Sequence, residues 1–323
     1  MQSTRTTNRR RALAAAGSAL ALTALAACSS VDDGGSDTGD GGDTGDSGDG
    51  ESMSTLADLQ EAGSINVGFF GEVPYSYEED GELTGATIEL GRQIYGELGI
   101  DEVTGTQVEW GALIPGVNAD RFDAVSAGMS ILPERCEQVA FAEPTIMYTT
   151  AFLVPEGNPE GLEDWQSVEG SGLTLAVTSG AIEAGYADET DVEAMEVPDR
   201  QAGLDAVVSG RADAYALTGI SLRALAEETD QPVEATEAFV ATINGEPQIG
   251  AGAEVFRQDD TELLAAYNDG LATYLEDEDA WLEVMEPFGF SGTEFPPSGL
   301  TAEQLCDPDQ DLSDLADELG MDY

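Results

Sequence analysis

Apolar residues along the chain fall into short runs separated by polar, glycine-containing stretches. Ser64–Phe69 (SINVGF) reads as a buried strand. Residues 72–77 follow as a loop with two aromatics, Tyr75 and Tyr77. Residues 85–98 have helical spacing, with Ile88, Gly91/Arg92, Tyr95 and Leu98 on one side. Residues 106–110 predict a second strand, 113–119 a short helix and 122–127 a third strand. Strands that alternate with helices predict an α/β fold with parallel sheets.

The rhythm then restarts. Residues 173–177 predict a strand, 179–186 the opening of a helix, 201–209 an amphipathic helix stopped by Gly210, and 213–217 another strand. The segments Asp120-Arg-Phe-Asp-Ala-Val and Gly210-Arg-Ala-Asp-Ala-Tyr share an Arg followed by a strand-opening Asp-Ala. Residues 249–256 read as a returning strand. Residues 263–275 read as a helix with Leu264, Tyr267, Leu271 and Leu275 on one side, and 280–285 start a short one. The acidic tail from Leu300 is expected to end in a loose helix. The pattern predicts two similarly built α/β lobes with a cleft between them.

The N-terminus has a different character. Arg5, Arg9, Arg10 and Arg11 precede an uncharged run of mostly Ala and Leu from Ala12 to Ala27. A membrane span needs about 20 apolar residues, so this shorter run reads as a signal peptide. It ends Leu25-Ala26-Ala27-Cys28, which resembles a bacterial lipobox and implies cleavage before Cys28 and lipidation of that cysteine. The alternative is an ordinary cleavage site. Residues 29–54, rich in Gly, Asp, Ser and Thr, have almost nothing to bury and read as a disordered acidic tether. The expected place of the body is therefore outside the cell membrane, anchored on its outer face.

Composition narrows the partners. The 323 residues carry 11 basic and 65 acidic side chains, a formal net charge of −54. Nucleic acid is excluded as a partner, because phosphate contacts need clustered cations. Self-repulsion on this scale is relieved by salt, which suggests a salt-rich medium. The 11 basic residues are all Arg, and His is absent. That removes the commonest general base and imidazole metal sites. No enzyme is expected, and no cofactor or metal. Apart from Cys28, the cysteines are Cys136 and Cys306, an even pair in an oxidising compartment. A disulfide between them is expected, with two buried free thiols as the alternative.

Candidate ligand-binding residues lie where open α/β sheets bind, at strand C-termini and helix N-termini. Arg135 follows Pro133 at a helix start, where the helix dipole disfavours it. A guanidinium there can grip a carboxylate with two parallel hydrogen bonds, or simply form a surface salt bridge. Glu183 opens a helix and Glu72 stands beside Pro74 and Tyr75. Each suits a cationic group, though a carboxylate is favoured in a first helical turn in any case. Tyr75, Tyr77 and Trp110 offer faces to a delocalised cation, or pack in a core. Asp213 either caps a strand end or meets a cation. One Arg, two carboxylates and several rings describe a site for a small zwitterion.

From about Leu56 to Phe290 the chain resembles the amino-acid-type solute-binding proteins of ABC importers. The resemblance rests on the ordered set around Pro74-Tyr75-Ser76-Tyr77, Asp120–Ala124, Ala127–Cys136, Val139–Pro144 and Gly210–Ala216. Within that group it is most similar to the ectoine/hydroxyectoine-binding branch, through Trp110–Gly116, Pro133–Cys136, Ser179–Tyr186 and Glu286–Phe290. The resemblance implies a two-lobed, hinged periplasmic-binding-protein-like fold of type II. Lobe 1 would comprise residues 55–150 and 247–323, and lobe 2 residues 151–246. It implies Arg135 on the ligand carboxylate, Glu72 and Glu183 on ring nitrogens, and Tyr75 and Trp110 against the ring. Ser130 stands where the branch often carries an aromatic. The expected partners are a small zwitterionic solute and a membrane permease, with the protein itself a monomer. A polar amino acid is the alternative ligand, and a dehydratase-like cleft enzyme the alternative of another class.

Overall fold

A computed structural model of the chain describes residues 55–321. The signal segment, Cys28 and the tether lie outside the described residues. The body opens with α1 (Leu56–Ala62), capped by a reciprocal Thr55–Asp58 pair and ended by Gly63 in the left-handed conformation. There follow β1 (Ser64–Phe69), a hairpin of β2 (Tyr77–Glu79) and β3 (Glu82–Thr84), α2 (Ala86–Glu97), β4 (Glu102–Gln107), α3 (Leu113–Asn118), β5 (Ala124–Ser130), α4 (Pro133–Cys136), β6 (Ala140–Phe141) and β7 (Ile146–Tyr148). The chain continues as β8 (Thr150–Pro155), α5 (Trp165–Val168), β9 (Thr174–Thr178), α6 (Ile182–Glu189), β10 (Glu193–Val197), α7 (Arg200–Val208), β11 (Ala214–Thr218), α8 (Gly219–Glu228), β12 (Val233–Ala235), β13 (Thr242–Ile243) and β14 (Glu246–Pro247). It ends as β15 (Gly250–Phe256), α9 (Thr261–Leu275), α10 (Glu278–Met285), α11 (Ala302–Cys306) and α12 (Leu312–Leu319).

The long strands form two sheets of like design. One has the order β4-β1-β5-β15-β6, with β7 also on β15; the other has the order β10-β9-β11-β8-β12. In the first, β1 runs parallel to β4 and β5, and β15 is antiparallel to β5. In the second, β9 runs parallel to β10 and β11, and β8 is antiparallel to β11. The chain passes between sheets twice, from β7 to β8 and from β14 to β15. Two strand-separated lobes joined by two neighbouring crossings make the two-lobed type II architecture.

Each sheet is buried on both faces, so its central strands read as nearly unbroken apolar runs. Along β8, Ala151 and Leu153 pack to one side with Leu204 and Tyr215, while Phe152 and Val154 pack to the other with Trp165. In the first lobe Val67, Leu90, Val125, Phe256 and Trp281 share one core.

The repeated Arg-x-Asp-Ala segments have matching roles. Asp123 N–H donates to Asn66 O at 2.7 Å, and its carboxylate accepts from Asn66 N–H at 2.9 Å. Asp213 repeats both bonds with Thr174, each at 2.8 Å. Each aspartate thus fastens the entry of one central strand to its parallel neighbour.

Several elements depart from the sequence expectation. The second strand lies at 102–107 rather than 106–110, and Trp110 begins a 3-10 turn. This strand is at a sheet edge and largely exposed, so it carries no hydrophobic signature. The third strand begins at Ala124 rather than Phe122 and runs through Ser130. Phe122 instead wedges its ring between Gly68 and Gly116, where a Cβ at either glycine would overlap it. In α9 it is Leu263, not Leu264, that is fully buried beside Tyr267 and Leu271. Cys136 and Cys306 are joined by a disulfide, which fastens α11 to α4.

Candidate functional site: the interlobe cleft

The C-terminal ends of β1, β5, β9 and β11 face one another across the cleft. They and the loops after them line a small cavity of about 30 Å³. Its walls include Phe70, Glu72, Tyr75, Trp110, Ser130 and Tyr148 from the first lobe, and Thr178, Glu183 and Thr218 from the second.

Glu72 lies in the loop after β1. Its carboxylate accepts a hydrogen bond from the Ser221 hydroxyl of α8, in the opposite lobe. Burial pushes its pKa up from the ordinary carboxylate value, partly offset by the Ser221 bond and by the charge of Arg200. Tyr75 is buried and donates from its hydroxyl to Thr218 Oγ1 at 2.9 Å, again across the cleft. Gly85, with φ of +119°, lies against the Tyr75 carbonyl where a Cβ would sit 2.6 Å from the carbonyl carbon.

Arg135 occupies the short helix α4, opened by Pro133. Its Nη1 donates to Ser130 O and its Nη2 to Gly180 O, both at 2.9 Å. The second bond crosses between the lobes. Trp110 Nε1 donates to the same Gly180 carbonyl at 3.0 Å, and the Arg135 guanidinium carbon lies 5.7 Å from the Trp110 ring centre. Phe70 meets Trp110 edge to face at 5.6 Å. Burial lowers the Arg135 pKa, and the charge of the neighbouring Glu134 opposes that shift.

Glu183 is the most unusual group. It sits in the first turn of α6 with no exposure to solvent. Neither carboxylate oxygen has a hydrogen-bond partner among the described residues. Burial pushes its pKa up to about 8, opposed by the nearby N–H of its own backbone and by Arg135, with Glu72 adding to the shift. An unpartnered buried carboxylate is costly, which makes Glu183 a candidate to receive a ligand donor.

The structure therefore gathers Glu72, Tyr75, Trp110, Ser130 and Glu183 around one cavity, while Arg135 lines a neighbouring pocket and is joined to the cavity wall through its bond to Ser130 O. Asp213 is not with them: it lies before the first residue of β11, at the far end from Thr218, and is occupied with Thr174. Tyr77 is in the β2–β3 hairpin, outside the cavity wall. Sequence reasoning missed Phe70, Tyr148, Thr178, Thr218 and Ser221. The available signal for the first was its place directly after a strand end, and for Tyr148 an aromatic in an otherwise apolar run.

A cleft lined by two carboxylates and a set of rings, with an arginine beside it, suits a small amino-acid-like solute. The chain belongs to the bacterial extracellular solute-binding proteins, family 3, whose pattern it matches over residues 65–282. It is 32% identical over 247 residues to a probable amino-acid ABC transporter periplasmic-binding protein, y4tE, of Sinorhizobium fredii, covering 73% of this chain and 80% of that one. It is 24% identical over 237 residues to the L-cystine-binding protein TcyJ of Escherichia coli, covering 71% and 86%. Among solved structures, EhuB in complex with hydroxyectoine superposes with a TM-score of 0.70 at 30% identity, over 79% of this chain and 99% of that one. The protein is an extracytoplasmic solute-binding component of an amino-acid-type ABC importer, one that works with a membrane permease. Its relatives are transport proteins rather than enzymes. Among the described residues no helix is long and apolar enough to cross a membrane.

Proposed function

We propose that the cleft captures ectoine or hydroxyectoine and delivers it to the permease. The observation that carries this reading is the pair of unpartnered oxygens on Glu183, buried in a wall shared with Glu72, Tyr75 and Trp110. A cyclic amidinium offers two diverging N–H donors in one plane, one for Glu183, which has no other partner, and one for Glu72. The rings accept the flat, charge-delocalised body. Arg135 would give up its bond to Gly180 and take the ligand carboxylate in a two-pronged grip. The likeness to the hydroxyectoine complex of EhuB supports the same ligand class.

On this reading the lobes are residues 55–150 with 247–323, and 151–246, hinged at the two crossings. The mature chain begins at a lipidated Cys28, with residues 29–54 as the tether that holds it, as a monomer, near its permease. Incorporation of labelled palmitate, lost in Cys28→Ser, tests the anchor.

Calorimetric titration of the body in molar salt, with ectoine, hydroxyectoine and a panel of amino acids, tests the ligand. Tight binding of an ectoine is expected. Binding of an amino acid alone would retire the ectoine assignment and leave a polar amino acid as cargo, the reading favoured by the Sinorhizobium relative. Recovery of the solute unchanged after incubation is expected of a carrier, and its conversion would revive a dehydratase-like role.

A further inference from the structure

We propose that Tyr148 is a ligand-contacting wall of the cleft, its ring set beside the space that the small side chain of Ser130 leaves open, and that it sets the preference for a flat cationic ring. The proposal rests on the ectoine reading for the identity of the ring.

Tyr148 on β7 is paired with Gly250 on β15, and Gly252 on β15 is paired with Ser130 on β5. Directly paired residues project to the same face of a sheet, as do residues two apart on one strand. Tyr148 and Ser130 therefore face the same way, with only the two glycines of β15 between them. The glycines make a bed for the ring. A Cβ at Gly250 would come within 3.0 Å of Tyr148 Cβ, one at Gly252 would overlap the ring and hydroxyl, and one at Gly128 would lie 2.7 Å from the hydroxyl. Any side chain at these positions would lift the ring off the sheet or exclude it.

The ring is anchored as well as accommodated. Its hydroxyl donates to Gly128 O, and its face meets Tyr75 nearly at right angles with centres 5.7 Å apart. Tyr148 lines the cavity together with Ser130, Glu72 and Glu183. The charges of Glu72, Arg135 and Glu183 are the ones that act on its hydroxyl, which places it among the groups assigned to the ligand's two poles. A serine at 130 leaves open the space that the Tyr148 ring reaches across the glycine floor. A large residue at 130 and the ring at 148 compete for one place.

Titration of hydroxyectoine and glutamine against the parent, Tyr148→Phe, Tyr148→Leu, Ser130→Phe and the Tyr148→Leu/Ser130→Phe double variant tests this. Loss of a cation–ring contact is expected to weaken hydroxyectoine binding about tenfold in Tyr148→Leu and to leave Tyr148→Phe within about threefold. Ser130→Phe should weaken binding in the parent but restore it in the Tyr148→Leu background, a reversal of sign that a merely structural role would not produce. Glutamine, which has no ring, should respond less. If Tyr148→Leu unfolds, Ser130→Phe alone decides: unchanged or tighter binding overturns the proposal. Retention of hydroxyectoine affinity within about twofold by a folded Tyr148→Leu overturns it too. If the parent binds only glutamine, the ligand reading fails on its own. Weaker glutamine binding by Tyr148→Leu would then still support the wall, and no change would overturn it.

Discussion

The guanidinium of Arg135, on the first lobe, donates to the carbonyl of Gly180, on the second, at 2.9 Å. The side chain proposed to grip the ligand carboxylate thus also bonds across the cleft. Trp110 donates to the same oxygen.

Removing that group should be severe. Hydrogen bonds to charged groups contribute about 1.5–3 kcal/mol each, so Arg135→Ala is expected to weaken binding roughly a hundredfold or more. Arg135→Lys should recover little, because an ammonium cannot make the two parallel bonds. Titration calorimetry checks both, and a lysine variant of near-parental affinity would remove the two-pronged grip from the account.

Glu183 predicts a proton count. Burial raises the Glu183 pKa to about 8, so at pH 7 the side chain is expected to be mostly protonated before the ligand arrives. A cation set against it favours the carboxylate. Ligand uptake at pH 7 should therefore release about one proton, and affinity should rise as pH is raised towards 8 and level off above it. Glu183→Gln should lose both the pH dependence and most of the affinity. Calorimetry in buffers of differing ionisation enthalpy measures the proton, and a count near zero would contradict the assignment.

Asp213 and Asp123 should behave as a pair. Each satisfies a backbone N–H on a neighbouring strand. Truncation of either to alanine is expected to cost about 1–2 kcal/mol of stability through the unmade bond. Neither should change ligand affinity beyond what the loss of stability explains. Thermal melts with parallel titrations separate the two effects, and a specific loss of binding in Asp213→Ala would return that residue to the site.

Glu254 predicts how the fold responds to pH. It is buried in the first lobe with a bond from the Tyr95 hydroxyl at 2.9 Å, and burial pushes its pKa up from 4.5 to about 8. Between those values the folded protein holds a proton that the unfolded chain releases. The contribution is therefore full below the unfolded pKa and is lost as pH rises through the folded one. Glu183 acts in the same sense when no ligand is bound. Glu254→Gln should flatten the fall in melting temperature between pH 5 and 8, and an unchanged slope would show that the carboxylate titrates normally.

The sequence by itself determined the alternation of strands and helices, the restart that makes a second lobe, and the residue types for a zwitterion. It could do so because periodicity and residue chemistry are local properties, written wherever an element is buried. It misplaced β4 because an exposed edge strand needs no apolar pattern. It left Asp213 open between two roles because a strand-end cap and a ligand carboxylate look alike along the chain. Only the tertiary structure brought Glu72 to Ser221 and Tyr75 to Thr218 across the cleft, stripped Glu183 of partners, and seated Tyr148 on glycines from two other strands. Those relationships depend on which strands lie side by side and how two lobes meet, and they are set by packing between segments far apart in sequence.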